Sequence, residues 1–192
     1  MNELSKGTKV TLLNGGYVMV EKELGRGGQG IVYLVDCNGK QKALKWYSKT
    51  PDDNFYNNLC ENARKGSPSE VFLWPEAITE RQNGSYGYIM ALRPSDYYDF
   101  GQFLLAKVHF SSYKALLNAA LKICDGFRKL HLNGYSYQDL NDGNFFINPK
   151  TGDALICDND NVVPEGCKSG IKGKVRYMAP EVVAGGTPNK YS

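Results

Sequence analysis

The first 47 residues constrain the fold most. Residues 8–13, 17–20, 21–25, 31–37 and 41–47 are short stretches of strand-forming residues, with Asn14-Gly15-Gly16 between the first two and Asn38-Gly39 between the last two. Asn and Gly tolerate the positive φ that tight hairpins demand, so these stretches read as a small antiparallel sheet.

Between the third and fourth stretches runs Gly25-Arg26-Gly27-Gly28-Gln29-Gly30-Ile31-Val32, a G-x-G-x-x-G-x-V pattern. Glycines let backbone amides approach phosphate oxygens with no side chain in the way. A dinucleotide-binding fold would have such a loop open a helix. Here the β-rich Ile31-Val32-Tyr33-Leu34-Val35 follows, which favours a flap between two strands. A plain Gly-rich hairpin is the bland alternative. Lys45 lies on the next strand, where alternation puts Ala43, Lys45 and Tyr47 on one face. A Lys among apolar residues is costly to bury without an anion, so Lys45 reads as a phosphate contact beneath the flap, or else as a solvated edge Lys.

Residues 54–65 read as a short helix ended by Gly66 and Pro68, with Glu61 available to pair with Lys45 and Glu70 as the rival. Residues 71–77 and 86–92 read as two more strands around Asn83-Gly84, and Arg93-Pro94-Ser95 ends the β pattern. The expected organisation is therefore a β-rich unit over 1–92 and a mainly helical unit over 93–192. A cleft between two such lobes is a common ligand site, with Ala91 and Leu92 along its back wall. Residues 97–107 form a modest helix in this reading. Residues 111–132 form a stronger one, capped by Ser111 or Ser112, with Leu116, Leu117, Ala120, Leu121, Ile123, Cys124, Phe127 and Leu130 as its core face. His109 and His131 read as structural or surface residues.

Beyond that helix comes Tyr137-Gln138-Asp139-Leu140-Asn141-Asp142-Gly143-Asn144, and fourteen residues after Asn144 comes Asp158, at the end of the strand-like Ala154-Leu155-Ile156-Cys157. Phosphoryl transfer asks little covalent chemistry of a protein. It needs a carboxylate near the incoming hydroxyl and oxygen ligands for magnesium. Asp139 suits the first task, and Asn144 and Asp158 the second. Asp139 and Asn144 as ordinary turn formers is the bland reading, but it leaves their coincidence with Asp158, Lys45 and the flap unexplained.

Composition narrows the classes. A hydrophobic content of 42% and a charged content of 22% are globular values. A net charge of +3 is too slight to imply a nucleic-acid or membrane partner. No apolar run suits a membrane span or a signal peptide. Five widely spread cysteines, without metal-ligand spacing, read as reduced thiols of a cytoplasmic protein.

The order of Gly flap, strand Lys, helix Glu, D-x4-N loop and post-strand Asp resembles the eukaryotic-type protein kinase family, as does Arg176-Tyr177-Met178-Ala179-Pro180-Glu181, whose wording is closer to the Ser/Thr branch. The resemblance implies an α+β, bilobal protein kinase-like fold, with a β-rich N-lobe over 1–92 and a partial C-lobe over 93–192. It implies an ATP- and Mg²⁺-dependent enzyme phosphorylating Ser/Thr hydroxyls of proteins. By it, Gly25, Arg26, Gly27, Gly28, Gly30, Val32, Ala43, Lys45, Glu61, Met90, Ala91 and Leu92 form the nucleotide site. Asp139, Lys45 and Asn141 form the catalytic group, and Asn144 and Asp158 hold Mg²⁺.

Several positions depart from the family pattern. Gln138 stands where an Arg usually engages a phosphorylated activation loop, and Asn141 where Ser/Thr kinases carry a catalytic-loop Lys. Asp158-Asn159-Asp160 replaces Asp-Phe-Gly, losing the packing of the Phe and the flexibility of the Gly, and Lys174 replaces a Thr. Lys174 or Lys172 is the expected substitute for the missing cation. These departures also admit a nucleotide-binding pseudokinase or scaffold, and Asp142-Gly143-Asn144 a kinase-like enzyme acting on small molecules. The chain stops eleven residues past Glu181, where further helices are expected. An exposed apolar face on the 111–132 helix, and self-association through it, are the expected consequences.

Overall fold

The turn chemistry read from the sequence builds the first sheet. In the computed structural model, which describes residues 3–49, 51–82, 84–170 and 173–191, the strands are β1 (Lys9–Thr11), β2 (Tyr17–Arg26), β3 (Gly30–Cys37) and β4 (Lys40–Tyr47). Gly15 sits at φ 83°, and Asn14 Oδ1 accepts from the Gly16 amide at 3.1 Å. Asn38 and Gly39, at φ 52° and 79°, form a two-residue turn that sets Cys37 opposite Lys40. The two stretches 17–20 and 21–25 are one strand, whose pairing with β3 shifts register between Val20 and Lys22 and between Glu23 and Gly25.

Helix α1 (Asp53–Lys65) follows, with Asp52 Oδ1 capping the Phe55 amide and Gly66 ending it at φ 80°. The expected strand over 71–77 is not formed. Only β5 (Ala77–Ile78) pairs, beside β6 (Gly87–Ala91), in the antiparallel order β1-β2-β3-β4-β6-β5. Trp74 instead turns inward and donates its indole N–H to Asn62 O. Of the Asn83-Gly84 turn, Asn83 lies outside the described residues. Alternation splits the sheet into two faces. Val10, Val18, Val20, Ile31, Tyr33, Val35, Leu44, Trp46 and Ile89 bury one face as core. The other carries Ala43 and Lys45.

The chain divides into two units, Met1–Gly66 with Trp74–Leu92, and Ser67–Leu73 with Arg93–Ser192. Ser67–Leu73 joins the second because Val71 O accepts from Ile156 N at 2.6 Å and Leu73 N donates to Ile156 O at 2.8 Å.

In the second unit the expected 97–107 helix shrinks to β7 (Tyr98–Asp99) and α2 (Phe100–Leu104), capped by Asp99. Helix α3 (Tyr113–Leu132) is capped by Ser112 Oγ on the Ala115 amide, at 3.1 Å. Then come β8 (Tyr135–Tyr137), β9 (Phe145–Ile147), β10 (Ala154–Ile156), β11 (Val162–Pro164) and the short α4 (Pro180–Val183), with sheets ordered β10-β9-β7 and β11-β8. The buried stripe of α3 is Ala115, Ala119, Gly126 and Leu130, whereas Leu116, Leu117, Ala120, Leu121 and Cys124, expected in the core, are exposed. Close approach explains the difference. A Cβ on Gly126 would fall 2.4 Å from Val71 Cγ2, and one on Gly152 would fall 2.0 Å from Ala115 O. Only small residues fit at Ala115 and Gly126, so the bulky leucines of the first half of the helix turn outward. No helix among the described residues is long and apolar enough to cross a membrane, and all five cysteines are free thiols.

Candidate active site

The first unit presents the Gly flap and Lys45. Strands β2 and β3 carry the flap between them, and the Gly27 amide donates to Gly30 O at 2.9 Å. Its glycines answer to different demands. A Cβ on Gly30 would sit 2.1 Å from Trp46 O, so Gly30 is fixed by packing against β4. A Cβ on Gly25, Gly27 or Gly28 would meet nothing in the protein, so packing does not require glycine there. Arg26 is turned to ion pairs with Glu3 and Glu23. On β4, Lys45 pairs in register with Val32 and Tyr88, and Ala43 pairs with Met90. Lys45 is buried at 4% exposure, and its ammonium donates to Gln29 Oε1 of the flap at 3.0 Å. Sequence reasoning missed Gln29, whose only signal was its place inside the glycine pattern.

The expected pairing of Glu61 with Lys45 is not formed. Glu61 pairs instead with Arg64 at 2.7 Å and Lys65 at 3.4 Å, its own neighbours one helical turn on. Those bonds hold its carboxyl down at about 2. Local i,i+3 and i,i+4 geometry satisfies this carboxylate without a tertiary partner.

The second unit gathers Asp139, Asn141, Asn144 and Asp158. Strands β9 and β10 pair Phe145 with Ile156, and the next bond, Cys157 N to Asn144 O at 2.9 Å, carries Asn144 to the residue before Asp158. Asn144 is buried. Its Nδ2 donates to Asp139 O at 2.8 Å and to Tyr137 Oη at 3.1 Å, with Asp139 Oδ2 at 3.5 Å. The amide nitrogen is thus committed to the loop, which leaves Oδ1 as the atom suited to a cation. Tyr137 Oη in turn donates to Cys157 O at 2.6 Å, so one phenol ties the loop that carries Asp139 and Asn144 to the strand before Asp158. The sequence offered no signal for this beyond an aromatic residue before Gln138-Asp139. Burial is the main cause pushing the Asp139 carboxyl above its ordinary value, and nearby Asp158 adds to it. Asp158 itself adopts the left-handed conformation, φ 54° and ψ 42°, which is uncommon for a residue with a Cβ.

Asn141 is buried and does three jobs. Its Nδ2 donates to Asp139 O at 3.0 Å, and its Oδ1 accepts from Gly143 N at 3.1 Å and from Lys174 Nζ at 3.0 Å. Lys172 lies outside the described residues. Asn159, which stands where the family pattern has a Phe, is fully buried and donates from Nδ2 to Leu73 O and Ile156 O, both at 2.9 Å. Gln138 clasps the following segment. Its Nε2 donates to Cys167 O at 2.6 Å, and its Oε1 accepts from Ser169 N at 2.9 Å. Among the described residues no cluster of three or more His, Cys, Asp or Glu is suited to holding a metal. Asn144 with Asp158 fits a cation that takes few protein ligands and keeps water and phosphate oxygens, as magnesium does.

No family model matches the chain. It is 29% identical over 180 residues to a dual serine/threonine and tyrosine protein kinase of Tetraodon nigroviridis, covering 85% of this chain and 18% of that protein. It is 29% identical over 188 residues to protein kinase C delta type of Mus musculus, covering 93% of this chain and 27% of that one. The chain thus spans about a quarter or less of the length of these curated relatives. Among solved structures, vaccinia related kinase 3 aligns with all of the chain and 65% of its own, at a TM-score of 0.75 and 18% identity. The PknI kinase domain of Mycobacterium tuberculosis, as a double mutant, aligns with 98% of this chain and 72% of its own, at 0.69 and 22%.

Proposed function

Because the chain is protein kinase-like, in fold and in the order of its motifs, we propose that it is the nucleotide-handling part of an ATP- and Mg²⁺-dependent protein kinase that phosphorylates Ser or Thr hydroxyls. The observation that carries this reading is the bonding of Asn144 to both Asp139 and the strand leading to Asp158. It joins a proton-accepting carboxylate to a pair of hard oxygen ligands.

The residues divide the work. Gly25, Gly27 and Gly28, whose side-chain positions the protein leaves open, bring flap amides to the phosphates of ATP. Lys45 holds its ammonium beneath them, and Gln29 Oε1, an acceptor, is the group that a phosphate oxygen replaces. Ala43, Met90, Ala91 and Leu92 receive the adenine, with Val32 beside them. Asn144 and Asp158 hold Mg²⁺, which neutralises charge on the phosphate chain. Asp139, fixed by Asn141 and Asn144, orients the substrate hydroxyl and takes its proton. A cytoplasmic setting goes with this reading, since the five cysteines are widely spread in the sequence and lack metal-ligand spacing.

A second reading, a nucleotide-binding scaffold, draws support from Asn159. Its two bonds to backbone carbonyls hold the segment after Asp158 in one conformation, as a fixed platform needs and a switch does not. Transfer of labelled phosphate from Mg-ATP decides between them. The enzyme reading expects transfer to a protein substrate that Asp139→Asn abolishes while nucleotide binding persists. Transfer to small-molecule hydroxyls alone, or none, overturns it.

A further inference from the structure

The catalytic loop lacks a cation of its own, and the structure supplies one from a residue 33 positions downstream. Gly173 is the approach. A Cβ there would fall 2.9 Å from Gln138 O and 3.8 Å from Asp139 Cα, so glycine lets this backbone lie directly against the loop. Lys174, next in the chain, then lands on Asn141. Its ammonium donates to Asn141 Oδ1 at 3.0 Å and lies 3.9 Å from Asp142 Oδ1. The seat is rigid. Asn141 is 3% exposed, and its amide also bonds Asp139 O and the Gly143 amide. It is also neutral, so it orients the ammonium without cancelling its charge. The Asp142 carboxylate is shared with Arg176, whose Nη2 stands 3.5 Å from Asp142 Oδ2. The Lys174 side chain remains 60% exposed, open to a ligand beside Asp139.

We propose that Lys174 is a catalytic residue that presents its ammonium to the transferring phosphoryl group, with Asn141 as the positioning residue that seats it. The inference rests on the kinase reading. Phosphoryl transfer spreads negative charge over three oxygens, and a fixed cation there acts on the transition state more than on the bound substrate. Asn141 and Lys174 then form one device, a cation and its seat on separate segments. The 173–177 segment thereby brings a charge to the loop that carries Asp139.

Two measurements on the full chain test this. In transfer from Mg-ATP to casein, Lys174→Ala is expected to lower kcat by about 100- to 1,000-fold while leaving KM for ATP within about twofold. Lys174→Arg, which keeps the charge, is expected to retain most of the rate. An unchanged kcat in Lys174→Ala, with its thermal midpoint intact, overturns the proposal. The second measurement needs no turnover. An acyl phosphate of ATP acylates a lysine lying against the phosphate chain: the amine nitrogen bonds the acyl carbon, the nucleotide phosphate leaves, and the amine loses a proton. Acylation of both Lys45 and Lys174, suppressed by excess Mg-ATP, supports the proposal. Lys45 modified with Lys174 untouched overturns it and leaves the kinase reading standing. Neither modified overturns the kinase reading, and the proposal with it.

Discussion

Gly30 and Gly27 sit in one loop for opposite reasons, and single substitutions separate them. Gly30→Ala drives a methyl into Trp46 O and is expected to cost roughly 2 kcal/mol or more, read as a fall in the denaturation midpoint. Gly27→Ala meets nothing in the protein, so stability is expected to hold while affinity for Mg-ATP falls. Loss of stability without loss of affinity in Gly27→Ala would make that glycine a folding residue. Glu61 gives a second test, in pH. Its carboxyl is depressed from 4.5 to about 2 by Arg64 and then Lys65. A depressed carboxylate stabilises the fold above its ordinary value and loses that contribution as pH falls toward 2. Glu61→Gln is therefore expected to flatten the acid limb of the thermal midpoint. The effect should shrink in high salt, because the pair is solvent-exposed. Since Glu61 bonds its own helix, the substitution is expected to leave Mg-ATP affinity unchanged, whereas a pairing with Lys45 would make affinity fall.

Gln138 bonds the segment after β11 at the backbone of Cys167 and Ser169 and needs no phosphate to do so. Gln138→Ala is expected to speed amide exchange at Ser169 and to leave exchange in α3 unchanged. Equal protection at Ser169 would mean the segment is held by other contacts. The sheet of the first unit was legible because its turns are local: Asn14-Gly15 and Asn38-Gly39 carry their own positive-φ preference. The buried face of α3 was not. Helical periodicity finds an apolar stripe, but the choice of Ala115, Ala119 and Gly126 over Leu116, Leu117 and Leu121 is made by Val71 and Gly152, which approach from distant sequence. Glu61 misled for the same reason: the spacing from Lys45 was right, and two basic residues on its own helix satisfied it first.

Several leucines of α3 are exposed to solvent. Leu121 is 69% exposed and Leu132 73%, with Leu116 and Leu117 beside them on α3. A contiguous apolar patch favours association. Leu121→Glu is expected to shift sedimentation toward the monomer without lowering the thermal midpoint, and an unchanged distribution would show that this face does not associate. The candidate site was legible as an order of motifs, because one short hairpin carries Asn144 to the residue before Asp158 and Asn144 bonds Asp139 in turn. The seating of Lys174 on Asn141 was legible only as a missing Lys and a surplus one, 33 residues apart. The kinase reading depends on the chain binding magnesium-nucleotide. Calorimetric titration of the chain with ATP, with and without Mg²⁺, beside Lys45→Ala and Asp158→Ala, tests that most directly. The account predicts magnesium-dependent binding that each substitution abolishes. Binding that survives both substitutions, or no binding by the folded chain, would contradict it.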